Sequence, residues 1–315
     1  MRKPKEEKIG KVVLSYLTGQ TDLIYSDGDD EDSLLGIFSG DSPSQGVKKA
    51  LSSSPPWPIY YHLSPRRKNI LNWYDFKSGS NILEVGSGCG AVTEGLLRGD
   101  NEVTALELSP RRARITAHRH KNCSKLRIWV GNLQDVSSEE KFDYIVCVGV
   151  LEYSGKYIKK DDPYLSFLKM LKARLKPDGV LLLAIENQLG MKYLAGANED
   201  HSGEPFSGIN DYYQLRGIKT FGRTELDRIL KNVGFSENYF YFPFPDYKFP
   251  AIVYSQDFYP GLSGVSFPKN LLPTPTPDHR RINIFSEAAF MSIVERNNLF
   301  PEFANSFLIE AKVNG

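Results

Sequence analysis

Residues 81–90, Asn-Ile-Leu-Glu-Val-Gly-Ser-Gly-Cys-Gly, constrain the fold of this chain more than any other stretch. A short apolar strand with one acidic residue runs into a turn with glycine at every second position. Glycine lacks a Cβ, so Gly86, Gly88 and Gly90 can take positive φ and let a ligand lie against the backbone. A helix after such a turn offers unpaired N–H groups at its start. The stretch predicts a strand, a ligand cradle and the beginning of a helix.

Downstream, hydrophobic periodicity predicts strand 81–85, helix 90–98, strand 102–107, helix 110–121, strand 125–130, strand 142–149, helix 163–175 and strand 179–186. Such alternation implies an α/β fold: a Rossmann-like, mostly parallel sheet with helices on both faces. A helix at 223–233, closed by Gly234, precedes two aromatic strands, 236–242 and 249–255. Pro243-Phe244-Pro245-Asp246 splits them, which makes them a C-terminal antiparallel pair. After a Pro-rich start beyond Gly261, a helix at 284–297 and a strand at 307–311 are expected. Ahead of the sheet, Ile9, Val12, Val13, Leu14, Tyr16 and Leu17 predict a helix over 4–18, and Asp27 to Asp32 reads as a solvated acidic loop. The expected organisation is an N-terminal helical and loop extension over 1–59, a main domain over 60–258 with a loop at 187–220, and a C-terminal extension over 259–315 packing on that domain.

Composition narrows the partners. With 39 Lys+Arg against 38 Asp+Glu the net charge is +1, so no field of the whole molecule draws it to nucleic acid or an anionic membrane. Apolar runs such as 180–185 fall far short of the roughly 20 residues of a membrane span, and residues 1–8 lack the apolar core of a signal peptide. Cys89, Cys123 and Cys147 are widely spaced and match no zinc pattern, which fits a reducing cytoplasm. Cys89, inside the glycine turn, reads as packing because no base is placed beside it.

The turn by itself admits two ligands. Gly86, Gly88 and Ala91 satisfy a loose Gly-x-Gly-x-x-Ala dinucleotide fingerprint, with Glu107 about 20 residues on to hold a ribose. Three features point elsewhere. Glu84 sets a negative charge where a pyrophosphate would lie, Gly90 adds a third glycine at alternate spacing, and the sheet ends in an antiparallel pair instead of a second mononucleotide-binding half.

On these residues the chain resembles class I S-adenosylmethionine-dependent methyltransferases, whose first motif, acidic-x-Gly-x-Gly-x-Gly, is matched by Glu84, Gly86, Gly88 and Gly90. The resemblance extends over roughly residues 60 to 258. It implies that Glu107, followed by Leu108, accepts from the ribose hydroxyls and that Asn132, followed by Leu133, contacts adenine. The segment Val148-Gly149-Val150-Leu151-Glu152-Tyr153 resembles the stretch lying under the cofactor, which assigns Gly149 to it, and Leu175-Lys176-Pro177-Asp178-Gly179-Val180 resembles the turn before the fifth strand. Tyr60, Tyr61, His62 and Arg66 sit where the family folds a segment over the cofactor, and a Tyr61 face would favour a sulfonium by a cation–π contact. S-adenosyl-L-methionine is then the cofactor, leaving as S-adenosyl-L-homocysteine.

Residues 187–220 leave the carboxyl end of the fifth predicted strand, where open α/β sheets hold ligands, and Tyr193, Phe206, Tyr212 and Tyr213 predict an ordered, substrate-binding loop. Methyl transfer to an alcohol needs in-line approach and a base. His201 leads, with Asp200 or Glu199 as the paired carboxylate, and Asp211 and Glu186 stand in reserve. Carboxylates and imidazole also suit a divalent cation, but the irregular spacing of Glu186, Asp200, His201 and Asp211 argues against one, and no metal is expected.

Three phrases, 184–190, Glu199-Asp200-His201 and 300–307, resemble methyltransferase domains of bacterial surface-polysaccharide (O-antigen or S-layer glycan) enzymes, often fused to glycosyltransferases. The resemblance implies O-methylation of a sugar hydroxyl. The aromatic, amide-rich loop suits stacking on and hydrogen bonding to a sugar. The ending at Asn314-Gly315 directly after a predicted strand is expected of a piece of a longer polypeptide. An NAD-dependent sugar oxidoreductase or epimerase, and a non-catalytic cofactor-binding domain of a glycan-assembly enzyme, are the competing readings.

Overall fold

The computed structural model describes residues 5–17, 27–213, 216–262, 264–268 and 281–313. The expected Pro-rich stretch falls largely on 269–280, outside the described residues. The chain forms two compact units, Met1–Cys147 with Ala173–Gly179, and Val148–Lys172 with Val180–Gly315.

The first unit carries strands β1 (Lys5–Ile9), β2 (Val12–Tyr16), β3 (Asn81–Val85), β4 (Glu102–Glu107), β5 (Leu126–Val130) and β6 (Phe142–Val148, whose last residue belongs to the second unit), in the order β1-β2-β5-β4-β3-β6. From β2 to β6 every neighbour is parallel. Burial on both faces explains the near-continuous apolar runs: Ile82, Leu83, Val85, Val103, Ala105, Leu106, Ile145 and Val146 are all buried. Its helices are α1 (Asp29–Ser39), α2 (Pro43–Ser52), α3 (Trp57–Leu63), α4 (Thr93–Leu96) and α5 (Pro110–Arg119). Helix α5 starts where Ser109 Oγ accepts from the Arg112 N–H at 3.4 Å and Pro110 supplies a preset φ. It turns Ala113, Ile115 and Ala117 inward.

Two N-terminal expectations are corrected. Within 4–18, residues 5–16 are the antiparallel hairpin β1–β2, not a helix. Gly10 takes φ 60° at the turn, Val12 and Leu14 alternate inward with period two, and β2 pairs in parallel with β5. Completing the sheet beside β5 overrides the helix-like spacing of the apolar residues. The acidic run 27–32 is not a solvated loop: it opens α1, with Arg112 bonded to Glu31 at 2.8 Å and to Asp27 at 2.6 Å. A further difference is the helix expected over 90–98, which contracts to α4 because Gly90 holds positive φ in the turn.

The second unit holds β7 (Leu175–Glu186, which begins in the first unit's Ala173–Gly179), β8 (Glu237–Phe244), β9 (Ile252–Ser255) and β10 (Ser306–Lys312), in the order β7-β10-β8-β9, all neighbours antiparallel. Its helices are α6 (Ser154–Tyr157), α7 (Pro163–Lys172), α8 (Met191–Leu194), α9 (Arg223–Val233), α10 (Glu287–Arg296) and α11 (Phe300–Phe303). The expected pair at the sheet's end is β8–β9, and β10 lies between β7 and β8. Helix α9 ends as its sequence predicts, on Gly234 in the left-handed region at φ 93°. The fold is α/β and Rossmann-like, with parallel pairing from β2 to β6 in the first unit, beside the antiparallel β1–β2 hairpin, and antiparallel pairing in the second. Among the described residues no helix is long and apolar enough to cross a membrane.

Candidate active site

The cradle belongs to the first unit. Gly86, Gly88 and Gly90 adopt φ of 77°, 54° and 76°, the left-handed region that a side chain resists. A Cβ on Gly90 would lie 3.0 Å from Thr116 Cγ2. Thr116 Oγ1 donates to the Gly88 carbonyl at 2.8 Å, so α5 braces the turn. Glu107 closes it from the other side, accepting from the Gly88 N–H at 2.7 Å and the Ser109 N–H at 2.9 Å. Glu84 accepts from Thr93 Oγ1 at 2.5 Å. Burial, with the Glu107 charge adding to it, pushes the Glu84 carboxyl up to about 8, and burial also raises Glu107. Two buried carboxyls beside an open turn favour a cationic ligand over an anionic one.

The remaining cradle residues vary in exposure. Leu133 is buried, while Leu108 and Asn132 are half-buried, and the Asn132 N–H is taken by Asp135 Oδ2 at 2.8 Å. Tyr61 is half-buried with the Arg67 guanidinium 4.2 Å from its ring centroid, so a cation already covers one aromatic face. Cys89 packs with Leu34, Phe38, Ile59, Leu63 and Ile115, and burial raises its thiol, which makes it inert.

In the second unit, Gly149 takes φ 68°, and a Cβ there would fall 2.7 Å from Tyr247 Oη. Three residues on, a buried polar cluster begins. His201 Nδ1 lies 2.6 Å from Glu199 Oε1, and its Nε2 lies 3.6 Å from Glu152 Oε1 and 4.0 Å from Glu186 Oε2. The side chains of His201, Glu152 and Glu186 are at most 3% exposed. The Tyr153 ring and the imidazole pack in a T-shaped pair, centroids 5.1 Å apart. Burial works against a charged imidazole, yet Glu186, Glu152 and Glu199 together hold it well above its usual range. Burial raises Glu152; Glu186 is held low, against its burial, by Lys248 and by His201.

A second layer anchors this cluster. Lys192 Nζ donates to Asp200 Oδ2 at 2.7 Å and Asp246 Oδ2 at 3.2 Å, and Lys248 Nζ donates to Glu186 Oε1 and lies 3.4 Å from Asp200. Tyr193 Oη donates to Asp200 and Tyr247 Oη to Glu186 Oε1. The loop bearing Lys192 is pinned by Asn305, whose Oδ1 accepts from the Lys192 N–H at 2.8 Å while its Nδ2 donates to the Pro245 carbonyl at 2.9 Å.

The expected residues therefore separate. The carboxylate paired with His201 is Glu199. Asp200 faces the two lysines, which overcome its burial and hold it far below the carboxylate range, a poor setting for a base. Asp211 is exposed, 3.5 Å from Gln188 Nε2 and 3.8 Å from Lys219 Nζ. Glu186 enters the cluster. Of the aromatics in 187–220, Tyr193 and Tyr212 are buried, Phe206 is half-buried and Tyr213 is 88% exposed. Sequence reasoning missed Lys192, Lys248 and Asp246, and took Glu152 only as part of a segment under the cofactor. A lysine flanked by apolar residues, as in Met191-Lys192-Tyr193, was the available signal of a buried cation.

Residues 83–181, from within β3 into β7, match the family model described as a methyltransferase domain. With the glycine cradle inside it, this stretch supports a methyltransferase of the class I, S-adenosylmethionine-dependent kind. Its curated relatives include the "Ubiquinone biosynthesis O-methyltransferase" of Actinobacillus pleuropneumoniae serotype 5b (strain L20), 32% identical over 125 residues that make up 37% of this chain and 50% of the relative. The enzyme of the same name from Xanthomonas campestris pv. campestris (strain B100) is 28% identical over 140 residues, 44% of this chain and 55% of the relative. The chain thus spans about half the length of the curated relatives it matches. Among solved structures, a SAM-dependent methyltransferase from Archaeoglobus fulgidus is 15% identical, covers 78% of this chain and 92% of its own, and has a TM-score of 0.46.

Proposed function

We propose that the protein is an O-methyltransferase that moves the methyl group of S-adenosylmethionine to a hydroxyl of a sugar in a bacterial cell-surface glycan or its precursor. The observation that carries the transfer is the buried pair of carboxyls, Glu84 and Glu107, beside three glycines at positive φ, inside a stretch matching a methyltransferase domain. In this reading Glu107 binds the ribose hydroxyls, Asn132 and Leu133 border adenine, and the acidic cradle favours the cationic methionine end. The acceptor hydroxyl gives up its proton at the Glu152–Glu186–His201 cluster, with Glu199 positioning the imidazole. Asp200 acts indirectly, by fixing Lys192 and Lys248. A sugar acceptor is supported by the amides and aromatics of 187–213, including Gln188, Asn210 and the exposed Tyr213, which suit hydrogen bonding and stacking. Work on an activated sugar or lipid-carried glycan places the chain in the cytoplasm, beside or joined to glycosyltransferase domains.

A second reading follows from the curated relatives, whose name assigns O-methylation in ubiquinone biosynthesis. Transfer of label from S-adenosylmethionine carrying a tritiated methyl group, to a panel of nucleotide sugars and surface glycans alongside the acceptors of that pathway, separates the two. Labelling of a glycan alone is expected. Labelling of the quinone precursor alone overturns the sugar assignment, and NAD binding without S-adenosylhomocysteine binding overturns methyl transfer itself.

A further inference from the structure

We propose that Glu152, Glu186 and His201 form a binding site for a divalent metal ion. One ligand atom from each lies within 4.8 Å of the other two. Donors held about 2.1 Å from a six-coordinate ion stand about 3.0 Å apart when adjacent and about 4.2 Å apart when opposed. The 3.6 Å and 4.0 Å separations from His201 Nε2 fall inside that range, and both are too long for a hydrogen bond.

Three independent observations turn this grouping into a site. Glu152 Oε2 and Glu186 Oε2 are buried with no hydrogen-bond partner among the described residues, an expensive state for a carboxylate unless a cation meets it. The Nδ1 of His201 is committed to Glu199, so a neutral imidazole points its Nε2 lone pair at two carboxylates. With a metal ion in place of the second ring proton, that is the arrangement seen when a carboxylate supports a metal-bound histidine. Finally, charge is unbalanced: among the described residues, five buried carboxyl groups, Glu152, Glu186, Glu199, Asp200 and Asp246, meet two lysines, Lys192 and Lys248, besides the imidazole.

Two carboxylate oxygens and one imidazole nitrogen suit Mn2+, with Mg2+ and Zn2+ as competitors, and leave coordination positions open. The role of those positions rests on the acceptor-site reading above: an acceptor oxygen bound there becomes more acidic. Cation binding does not need that reading, and it is measured without methyl donor or acceptor, so either idea can fail alone.

The test uses the whole chain stripped with EDTA and titrated calorimetrically with MnCl2. One Mn2+ per chain is expected. Glu152→Gln and His201→Asn should each weaken binding at least tenfold, and Glu199→Gln by about 10–100-fold. No binding by the parent chain up to millimolar Mn2+, or equal affinity in Glu152→Gln and His201→Asn, overturns the site. Where circular dichroism shows that a variant has not folded, pulsed electron paramagnetic resonance of Mn2+ on the parent chain decides instead. Coupling to one imidazole nitrogen supports the site, and its absence refutes it.

Discussion

The 2.6 Å contact between His201 Nδ1 and Glu199 Oε1 determines which ring nitrogen faces Glu152 and Glu186. Glu199 also accepts the backbone N–H groups of His201 and Ser202 at 2.9 and 2.8 Å, so one carboxylate sets both the loop's turn and the ring's tautomer. Replacing Glu199 with Gln keeps the shape but removes the charge. We expect turnover on a verified acceptor to fall about 10–100-fold, with S-adenosylhomocysteine affinity unchanged. Nitrogen-15 NMR of the ring provides the check: an unchanged His201 tautomer would show that Glu199 does not orient it.

Lys192 neutralises two buried carboxylates from an α8 position that is itself 1% exposed. Lys192→Met takes the ammonium away from buried Asp246 and leaves Asp200 with Lys248 and Tyr193 alone. The expected cost is about 3–5 kcal/mol, read as a lower urea midpoint by circular dichroism. Adding Asp200→Asn should return part of it, and a double variant no more stable than the single one would show that the two residues are not coupled.

Glu84 predicts a pH dependence of stability. Burial raises its folded-state pKa from the ordinary 4.5 to about 8. Below 4.5 the carboxyl is neutral in folded and unfolded chains alike, and no penalty arises. Between 4.5 and about 8 the unfolded chain releases the proton while the folded one keeps it, so stability falls as pH rises and levels off beyond 8. The glutamine variant lacks this slope. Melting temperatures of the parent chain and Glu84→Gln at pH 5 and pH 8.5 should therefore differ in trend, the parent losing ground by the order of a few kcal/mol. Parallel curves would sink the assignment.

Gly90 is far less able than Gly88 to accept a side chain. Alanine there combines φ 76° with contacts of 3.0–3.2 Å to Thr116 and His120. We expect Gly90→Ala to lower the melting temperature and to weaken S-adenosylhomocysteine binding at least tenfold. Gly203 has a similar φ of 70° but nothing within 4 Å of the added carbon, so Gly203→Ala should cost only the backbone strain of roughly 1–2 kcal/mol. Equal losses in the two variants would show that the crowding around Gly90 is irrelevant.

Local pattern was enough for β3, β4 and α9, whose observed limits coincide with those expected, because apolar runs and Gly234 act over a few residues. It was also enough to place glycines at 86, 88 and 90 in a turn with positive φ. Residues 5–16 show where it fails: the same apolar spacing fits a helix or a hairpin, and only pairing with β5 selects the hairpin.

The polar cluster depends still more on tertiary structure. Sequence adjacency offered Asp200 and Glu199 equally as partners for His201, and the fold sends the first to Lys192 and Lys248 and the second to the ring. Glu152, Glu186 and His201 come from three segments with no regular spacing, so no local rule unites them. Burial then decides their chemistry, because a carboxyl removed from water must find a cation, a donor or a proton. The sequence by itself determined an α/β chain with a glycine cradle directly after the strand at 81–85. Only the tertiary structure decided which charges meet inside it.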